Sequence, residues 1–272
     1  MHTRRGFLSS GAAVLATFMV GGCAVSGASS RGGAVPGSFA WFDLVSNRPD
    51  QAEAFYGALF GWDFADGSSS EYRDISSNGV LLGGISGIEN GADPKMVSSQ
   101  WTPVLTLADP VEATRRALAA GGEQVGSPFR IGDTLFSRVR DNRGALLVIQ
   151  NGPDGFPLDA AGQAGVWGWA DLFVDNPSRA RSFYRSVAGF ETRQDGDVTV
   201  FERDGLERGG LVGVPDNQLG STWIPYVGVA SISETVARAQ ELGGTQLALE
   251  DRAALIIDPT GAVIGLIAAE ES

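Results

Sequence analysis

The chain has 272 residues, 43% of them hydrophobic, and a formal net charge of −12. This length allows two domains of ordinary size with real cores. Its acidity argues against binding to nucleic acid and against charge-driven binding to anionic lipid. The only cysteine is Cys23 and the only histidine is His2, so an internal disulfide and a Ser-His or Cys-His nucleophile in the mature chain are excluded.

The first 23 residues are typical of an export signal. The motif TRRGFL at residues 3–8 matches a twin-arginine signal, and the apolar run 12–20 is too short to span a bilayer. Val-Gly-Gly-Cys at residues 20–23 resembles a bacterial lipobox, although Cys23 as an incidental thiol is the alternative. We predict export by the twin-arginine route and a membrane anchor through lipid on Cys23.

The stretch 39–62 follows a small, Gly/Ser-rich tether at residues 24–36. It predicts a strand, a helix that begins at Pro49 and a stop at Gly61. The apolar helix face comes from three- and four-residue spacing and consists of Ala52, Phe55, Tyr56, Leu59 and Phe60.

Three short strands are predicted next, and then the whole pattern repeats. A strand at residues 101–107 precedes a helix at 109–120, which Asp109 caps and Pro110 begins. Its predicted packed face is Val111, Thr114 and Leu118. Three more strands are predicted at residues 124–125, 134–139 and 145–149.

The stretch 39–62 returns without a gap at residues 167–190, with Trp41 matching Trp169 and Asp43 matching Asp171. The chain therefore holds one unit twice. We predict domains at residues 37–151 and 166–268, joined by a linker at 152–165. Each domain contains the strand-helix-three-strand module twice, so the chain has four modules.

The aromatic first strand, the Phe-Tyr helix ending in Gly-Trp or Gly-Phe, and the Asp-x-x-Gly turn before the last strand resemble the vicinal oxygen chelate superfamily. Its members include glyoxalase I, bleomycin-resistance proteins and extradiol dioxygenases, and the chain looks most like tandem glyoxalase-like proteins of bacteria. The resemblance covers residues 37–268. It implies an α+β fold of two tandem domains, each made of two βαβββ modules whose curved mixed sheet encloses a cavity.

The resemblance also implies where a metal would bind. In the family, His, Gln or Glu side chains on the first and last strands of each module hold a divalent ion. These positions fall on Trp41, Leu82, Pro103 and Val148, and on Trp169, Leu211, Pro225 or Tyr226, and Gly265. None is such a ligand. We predict no metal and no cofactor; an all-carboxylate site is the alternative, although no clustered set occupies these positions.

Strand alternation predicts the side chains that face each cavity. Phe39, Trp41 and Asp43 are expected on one face, and so are Trp167, Trp169 and Asp171. Leu146, Val148 and Gln150 share a face of the last strand, and Trp101 and Trp223 are expected at the rim. The predicted ligand-binding residues are Trp41, Asp43, Trp101, Val148, Gln150, Trp169, Asp171, Trp223 and Tyr226.

Indoles, carboxylates and one amide in a cavity predict an aromatic or cationic small-molecule ligand. The alternative is that Trp41 and Trp169 fill the space of a lost metal. Asp43 and Asp171 are candidate general bases if desolvated, or they bond to nearby backbone. Tyr56 and Tyr184 are predicted in the core. Arg138 and Arg140 are predicted on a solvated or ion-paired face, with an anion clamp as the alternative.

Three functions remain open at this point. The first is an exported, membrane-tethered protein that binds a small molecule without metal, as bleomycin-resistance proteins do. The second is an enzyme of the same superfamily, a lyase, isomerase or dioxygenase that uses Asp43, Asp171 or an atypical metal site. The third is a degenerate scaffold for protein partners, which predicts a filled cavity and an exposed apolar patch.

Overall fold

The computed structural model describes residues 35–69, 71–88, 99–152, 163–195, 198–214, 221–250 and 252–269. The predicted signal, Cys23 and nearly all of the tether lie outside these residues, as does most of the predicted linker. Among the described residues, every helix is too short or too polar to cross a bilayer.

The N-terminal half forms one sheet, here called the N-terminal sheet, with strand order β2-β3-β4-β1-β5-β9-β8-β6 and β7 paired to β8. Two helices, α1 (Pro49–Phe60) and α2 (Pro110–Ala119), accompany it. The strands are β1 (Phe39–Ser46), β2 (Asp63–Ser69), β3 (Tyr72–Ser77), β4 (Val80–Gly87), β5 (Gln100–Thr106), β6 (Glu123–Gln124), β7 (Phe129–Ile131), β8 (Thr134–Arg140) and β9 (Leu146–Gln150).

The C-terminal half forms the C-terminal sheet, in the order β11-β12-β13-β10-β14-β17-β16-β15. Its helices are α3 (Pro177–Ala188) and α4 (Ile232–Glu241). The strands are β10 (Trp167–Val174), β11 (Glu191–Asp195), β12 (Val198–Arg203), β13 (Leu206–Gly213), β14 (Thr222–Val229), β15 (Thr245–Leu249), β16 (Ala253–Ile257) and β17 (Val263–Ala268).

Each sheet joins two strand-helix-three-strand modules through its two first strands. In the N-terminal sheet β1 pairs antiparallel with β5 and parallel with β4, and in the C-terminal sheet β10 pairs in the same way with β14 and β13. Two curled sheets with this mixed pairing confirm the predicted α+β fold class of tandem βαβββ modules.

The side-chain cap that the sequence predicts for α2 is present, and α3 begins with a cap of the same kind. The Asp109 carboxylate accepts from the N–H groups of Val111 and Glu112, both at 3.0 Å, and Asn176 accepts from that of Arg179 at 3.1 Å. These bonds satisfy donors that the first helical turn leaves without partners.

The predicted packed face of α2 is wrong in two of its three residues. Val111 is 55% exposed and Leu118 is 47% exposed, whereas Ala113 and Ala117 are fully buried. The helix packs through its small residues, and methyl side chains allow it to lie close to its neighbours, strand β8 and helix α3.

The two first strands are bulged, and this corrects two expected orientations. Phe39 opposes Leu105 while Trp41 opposes Val104, and Trp167 opposes Val227 while Trp169 opposes Tyr226. One extra residue in each strand interrupts the period of two. Phe39 and Trp167 therefore face the core and do not share a face with Trp41 and Trp169.

One apolar core joins the two halves of the molecule. The Phe39 ring meets Trp223 edge to face at 5.0 Å, and the Trp167 indole donates across the halves to the Leu82 carbonyl at 2.7 Å. The helices meet there as well, α1 against α4 and α2 against α3. Each sheet thus turns one face to this shared core, and we call the opposite faces the N-terminal and C-terminal cup faces.

Candidate functional site

The centre of the N-terminal cup face is one row of side chains that crosses four strands. Trp41 opposes Val104, Val104 opposes Val148, and Val148 opposes Arg138. Strands lie about 4.8 Å apart, so the row spans roughly 14 Å. Val104 and Val148 are buried at its middle, Trp41 is half-buried at one end, and Arg138 is exposed at the other.

Aromatic rings extend this row along strands β7 and β8. The Phe136 ring lies 6.3 Å from Trp41 and stacks on Phe129 at 5.3 Å. The Arg138 guanidinium stands 4.7 Å from the centre of the Phe129 ring, a cation–π contact. The Arg138 guanidinium makes no ion pair or hydrogen bond with the residues described, so the predicted solvated face applies to it. Arg140 instead is buried and donates to the Gly144 carbonyl at 2.7 Å.

Asp43 lies beside the row and is held by its neighbours. Its Oδ1 accepts from the Tyr72 hydroxyl at 2.8 Å and from the Gly84 N–H at 3.0 Å. Burial raises the pKa of Asp43 to about 6, although Tyr72, Trp41, Gly84 and the positive charge of Arg138 each favour the ionised form. The carboxyl group is therefore both bonded to backbone, as one reading of the sequence predicts, and able to titrate near neutral pH.

Thr102 is a polar residue on this face that the sequence reasoning missed. It opposes Asp43 on the neighbouring strand and is 1% exposed, yet its Oγ1 has no hydrogen-bond partner in the described structure. The Trp41 indole N–H is buried too, and no acceptor among the described residues lies in hydrogen-bond geometry to it. Buried polar groups normally have partners, so both atoms are places where a ligand would improve the site. The only available signal was the alternation that places Thr102 and Val104 on one face.

Gln150 and Val148 lie on the cup face as predicted, but the Gln150 amide is engaged internally. It donates to Thr106 Oγ1 at 3.1 Å and accepts from the Gly152 N–H at 3.1 Å. Gln150 is 1% exposed. Its role is to fix the end of β9 rather than to offer a free polar group.

The C-terminal cup face has the same Trp-Asp pair, and here the two side chains are joined by a hydrogen bond. The Trp169 indole donates to Asp171 Oδ1 at 2.7 Å, and Asp171 is 1% exposed. Burial raises the pKa of Asp171 to about 6, against the bonds from Trp169, Tyr226 and the Gly210 backbone, which favour the carboxylate. This carboxyl group is enclosed by protein.

The central row of the C-terminal cup face is filled by a tyrosine. Trp169 opposes Tyr226, Tyr226 opposes Gly265, and Gly265 opposes Leu255. A Cβ on Gly265 would lie 2.2 Å from the Tyr226 ring, which therefore occupies the space above this glycine. Both rows begin with a half-buried indole, but the N-terminal row ends in the exposed Arg138, whereas the C-terminal row is filled by Tyr226 and ends in the buried Leu255.

Trp101 and Trp223 are not at a cavity rim, so that prediction is wrong. Both are buried in the shared core, and their indoles donate to the hydroxyl groups of Tyr56 and Tyr184 at 2.9 and 2.8 Å. Trp101 opposes Leu44, the residue after Asp43, and a shift of one residue along a strand reverses the face.

The positions at which the family resemblance implies metal ligands carry no side chains that bind a metal. Leu82 and Leu211 face the shared core, and the residues opposite Asp43 and Asp171 are Gly84 and Gly210, which offer no side chain. Among the described residues no group of three His, Cys, Asp or Glu side chains could hold an ion.

A surface groove of about 580 Å³ lies away from both cup faces, where α2 ends near the start of α3. It is open to solvent and brings together no titratable pair, so the chemistry of the molecule is better placed on the N-terminal cup face. The groove is lined by Ala120, Gly121, Asn142, Asn176, Ser178, Arg179 and Ser182.

Two curled sheets, each made of two paired βαβββ modules, define the class. The chain has the fold of the vicinal oxygen chelate superfamily, as the sequence resemblance predicted. No protein-family model matches it. It is 28% identical over 244 residues to "Putative glyoxylase CFP32" of Mycobacterium tuberculosis, covering 84% of this chain and 93% of that protein. It is 29% identical over 265 residues to the anthracycline biosynthesis protein DnrV of Streptomyces peucetius, covering 87% and 94%.

Solved structures share the fold at low sequence identity. The Mn(II)-bound glyoxalase from Novosphingobium aromaticivorans superimposes with a TM-score of 0.61 at 14% identity, over 87% of this chain and 83% of that one. A variant of homoprotocatechuate 2,3-dioxygenase from B. fuscum gives a TM-score of 0.57 at 14% identity, over 89% and 73%. These likenesses concern the fold alone.

Proposed function

We propose that this glyoxalase-like protein is exported, anchored through lipid on Cys23, and binds a small aromatic molecule on its N-terminal cup face without a metal. The observation that carries the proposal is the row Trp41-Val104-Val148-Arg138, an aromatic and apolar surface with a cation at one end. Aromatic surfaces with a few convergent polar groups are typical of small-molecule sites.

The donor chemistry supports binding without a metal. The carboxyl group beside the row is Asp43, and this group is already bonded to Tyr72 and Gly84. Catalytic zinc sites in proteins have three side-chain ligands, such as imidazole or carboxylate groups. The sequence has no histidine beyond His2.

Names of relatives agree with a planar aromatic ligand. Two of the similar proteins, DauV and DnrV of Streptomyces, are named anthracycline biosynthesis proteins. We take from them only the chemical class, a fused-ring compound.

Tryptophan fluorescence tests the proposal. Trp41 and Trp169 are half-buried, whereas the other four indoles are at most 3% exposed. A panel of fused-ring aromatic compounds should therefore quench emission saturably, and Trp41→Phe should remove the response while Trp169→Phe keeps it. Elemental analysis of the same protein should find no stoichiometric metal. No saturable quenching by any compound, or one bound Mn, Zn, Ni or Fe per chain, contradicts the proposal.

An enzyme is the second candidate, and the titration of Asp43 favours it. A carboxyl group whose pKa burial raises to about 6 can exchange protons near neutral pH. The relative named a putative glyoxylase suggests lyase chemistry. A turnover assay on the bound compounds separates the candidates: loss of turnover with retained binding in Asp43→Asn indicates an enzyme.

A further inference from the structure

We infer that the N-terminal cup face selects an aromatic acid, with its acidic group on Arg138 and a ring hydroxyl or carbonyl on Thr102. This inference rests on the proposed function and names the ligand class. It replaces the aromatic or cationic ligand that the sequence suggested with an aromatic anion.

The position of Arg138 carries the first step. Its guanidinium is exposed, packs over Phe129, and makes no ion pair or hydrogen bond with the described residues. Arginine forms paired, charge-assisted hydrogen bonds with carboxylates, and here its plane is already positioned by an aromatic ring. The cation is therefore available to a ligand that lies along the row.

Thr102 carries the second step. Its hydroxyl is buried without a partner on the same face, two strand spacings from β8, or roughly 10 Å. A naphthalene-sized ring system with polar groups at its two ends spans about this distance. The half-buried Trp41, packed toward Phe136, provides the surface on which the ring stacks.

In the C-terminal sheet, apolar residues occupy the positions that correspond to Arg138 and Thr102. Leu255 stands where Arg138 stands, and Ile224 stands where Thr102 stands, because Leu255 opposes Gly265 and Ile224 opposes Asp171. Both are buried and apolar. The chain itself thus supplies matched substitutions, Arg138→Leu and Thr102→Ile.

Charge selectivity is the first test. Three probes share one ring and differ in charge: 2-naphthoate, 2-naphthylmethanol and 2-naphthylmethylammonium. Calorimetric titration at pH 7 should show 2-naphthoate binding at least tenfold more tightly than the other two. Arg138→Leu should bring its affinity down to that of the alcohol, whereas Arg130→Leu, an equal change of charge on the neighbouring strand, should leave it within twofold.

The possible outcomes test small-molecule binding and acid selectivity separately. Equal affinity for all three probes leaves small-molecule binding standing and overturns acid selectivity. Binding of none of them contradicts both. Selectivity that survives Arg138→Leu assigns the anion to another residue and also overturns the inference.

Thr102→Val provides an independent readout. If the buried hydroxyl lacks a partner in the free protein, its removal should raise the melting temperature. It should also abolish the affinity advantage of 6-hydroxy-2-naphthoate over 2-naphthoate, expected to be about tenfold. An unchanged advantage in a folded Thr102→Val or Thr102→Ile variant removes Thr102 from the site.

Discussion

At the scale of single residues, the two cup-face aspartates have the same sequence context and different surroundings. Asp43 is half-buried and faces Tyr72 from β3 and Arg138 from β8, whereas Asp171 is enclosed by Trp169, Tyr226 and Gly210. Burial raises both pKa values to about 6. The half-buried Asp43 can take part in binding, and the titration of both carboxyl groups affects the stability of the fold.

Asp171→Asn tests the enclosed carboxyl group. Its pKa rises from 3.8 unfolded to about 6 folded, so the folded state binds the proton more tightly. The wild-type protein should therefore lose stability as pH rises from about 4 to 6, by up to about 3 kcal/mol, and lose no more above that range. Asp171→Asn should remove the part of this slope that Asp171 contributes, leaving the part from Asp43, and should be the more stable protein at pH 8.

Denaturant unfolding at pH 5, 6 and 8 measures this difference. Asp133→Asn, an exposed change in the turn between β7 and β8, is the control and should follow the wild-type curve. A variant of Asp171 with the full wild-type slope would show that another group causes it.

Asp43→Asn tests the accessible carboxyl group through binding. Below pH 6 the neutral Asp43 no longer repels an anion, and Tyr72 and Arg138 are the other ionisable groups that face it. The affinity for 2-naphthoate should therefore rise severalfold between pH 7.5 and pH 5. In Asp43→Asn the affinity should be high and flat over this range, and a persistent pH dependence would point to a different group.

At the scale of secondary-structure elements, the sequence predicts the fold, but it does not predict on which face of the sheet several side chains lie. Composition and spacing identify strands, helices and caps because these depend on neighbours in sequence. The bulges between Phe39 and Trp41 and between Trp167 and Trp169 depend on the partner strand. Gly168 hints at one of them, since glycine inside a strand often marks a bulge, but the first strand offers no such signal.

The filled row of the C-terminal sheet shows another limit of sequence reasoning. Gly265 was identified as a lost ligand position, and nothing local indicates that the Tyr226 ring occupies its space. Register between distant strands decides this contact. The same reason explains why Thr102 was missed: its burial comes from packing that is not local in sequence.

Exchanging this row for its N-terminal counterpart is a direct test of element packing. Gly265→Val alone should destabilise the protein by about 1–3 kcal/mol, because its Cβ would overlap the Tyr226 ring. Tyr226→Val together with Gly265→Val copies Val104 and Val148 and should recover most of that loss. Additive effects of the two changes, measured by denaturant unfolding, would show that the ring and the glycine do not share this space.

At the scale of the whole molecule, two equivalent chains of hydrogen bonds connect the two halves. Trp101 donates to Tyr56, which donates to Asp258 of the other half at 3.0 Å. Trp223 donates to Tyr184, which donates to Asp141 at 3.2 Å. Each aspartate belongs to an Asp-x-x-Gly turn, so the turn of one half binds the helix of the other. The tandem arrangement is thus a structural unit rather than two independent domains joined by a linker.

Tyr56→Phe is expected to weaken the whole molecule. It leaves the Trp101 indole and one oxygen of Asp258 without their partner in a buried site, which costs about 1–3 kcal/mol. Because the core is continuous, both halves should still unfold in one transition, shifted to lower denaturant concentration. Fluorescence and far-ultraviolet circular dichroism should give the same midpoint. Two separated transitions, with one half unaffected by the change, would mean that the shared core does not couple the halves, and the N-terminal cup face could then be studied as an isolated domain.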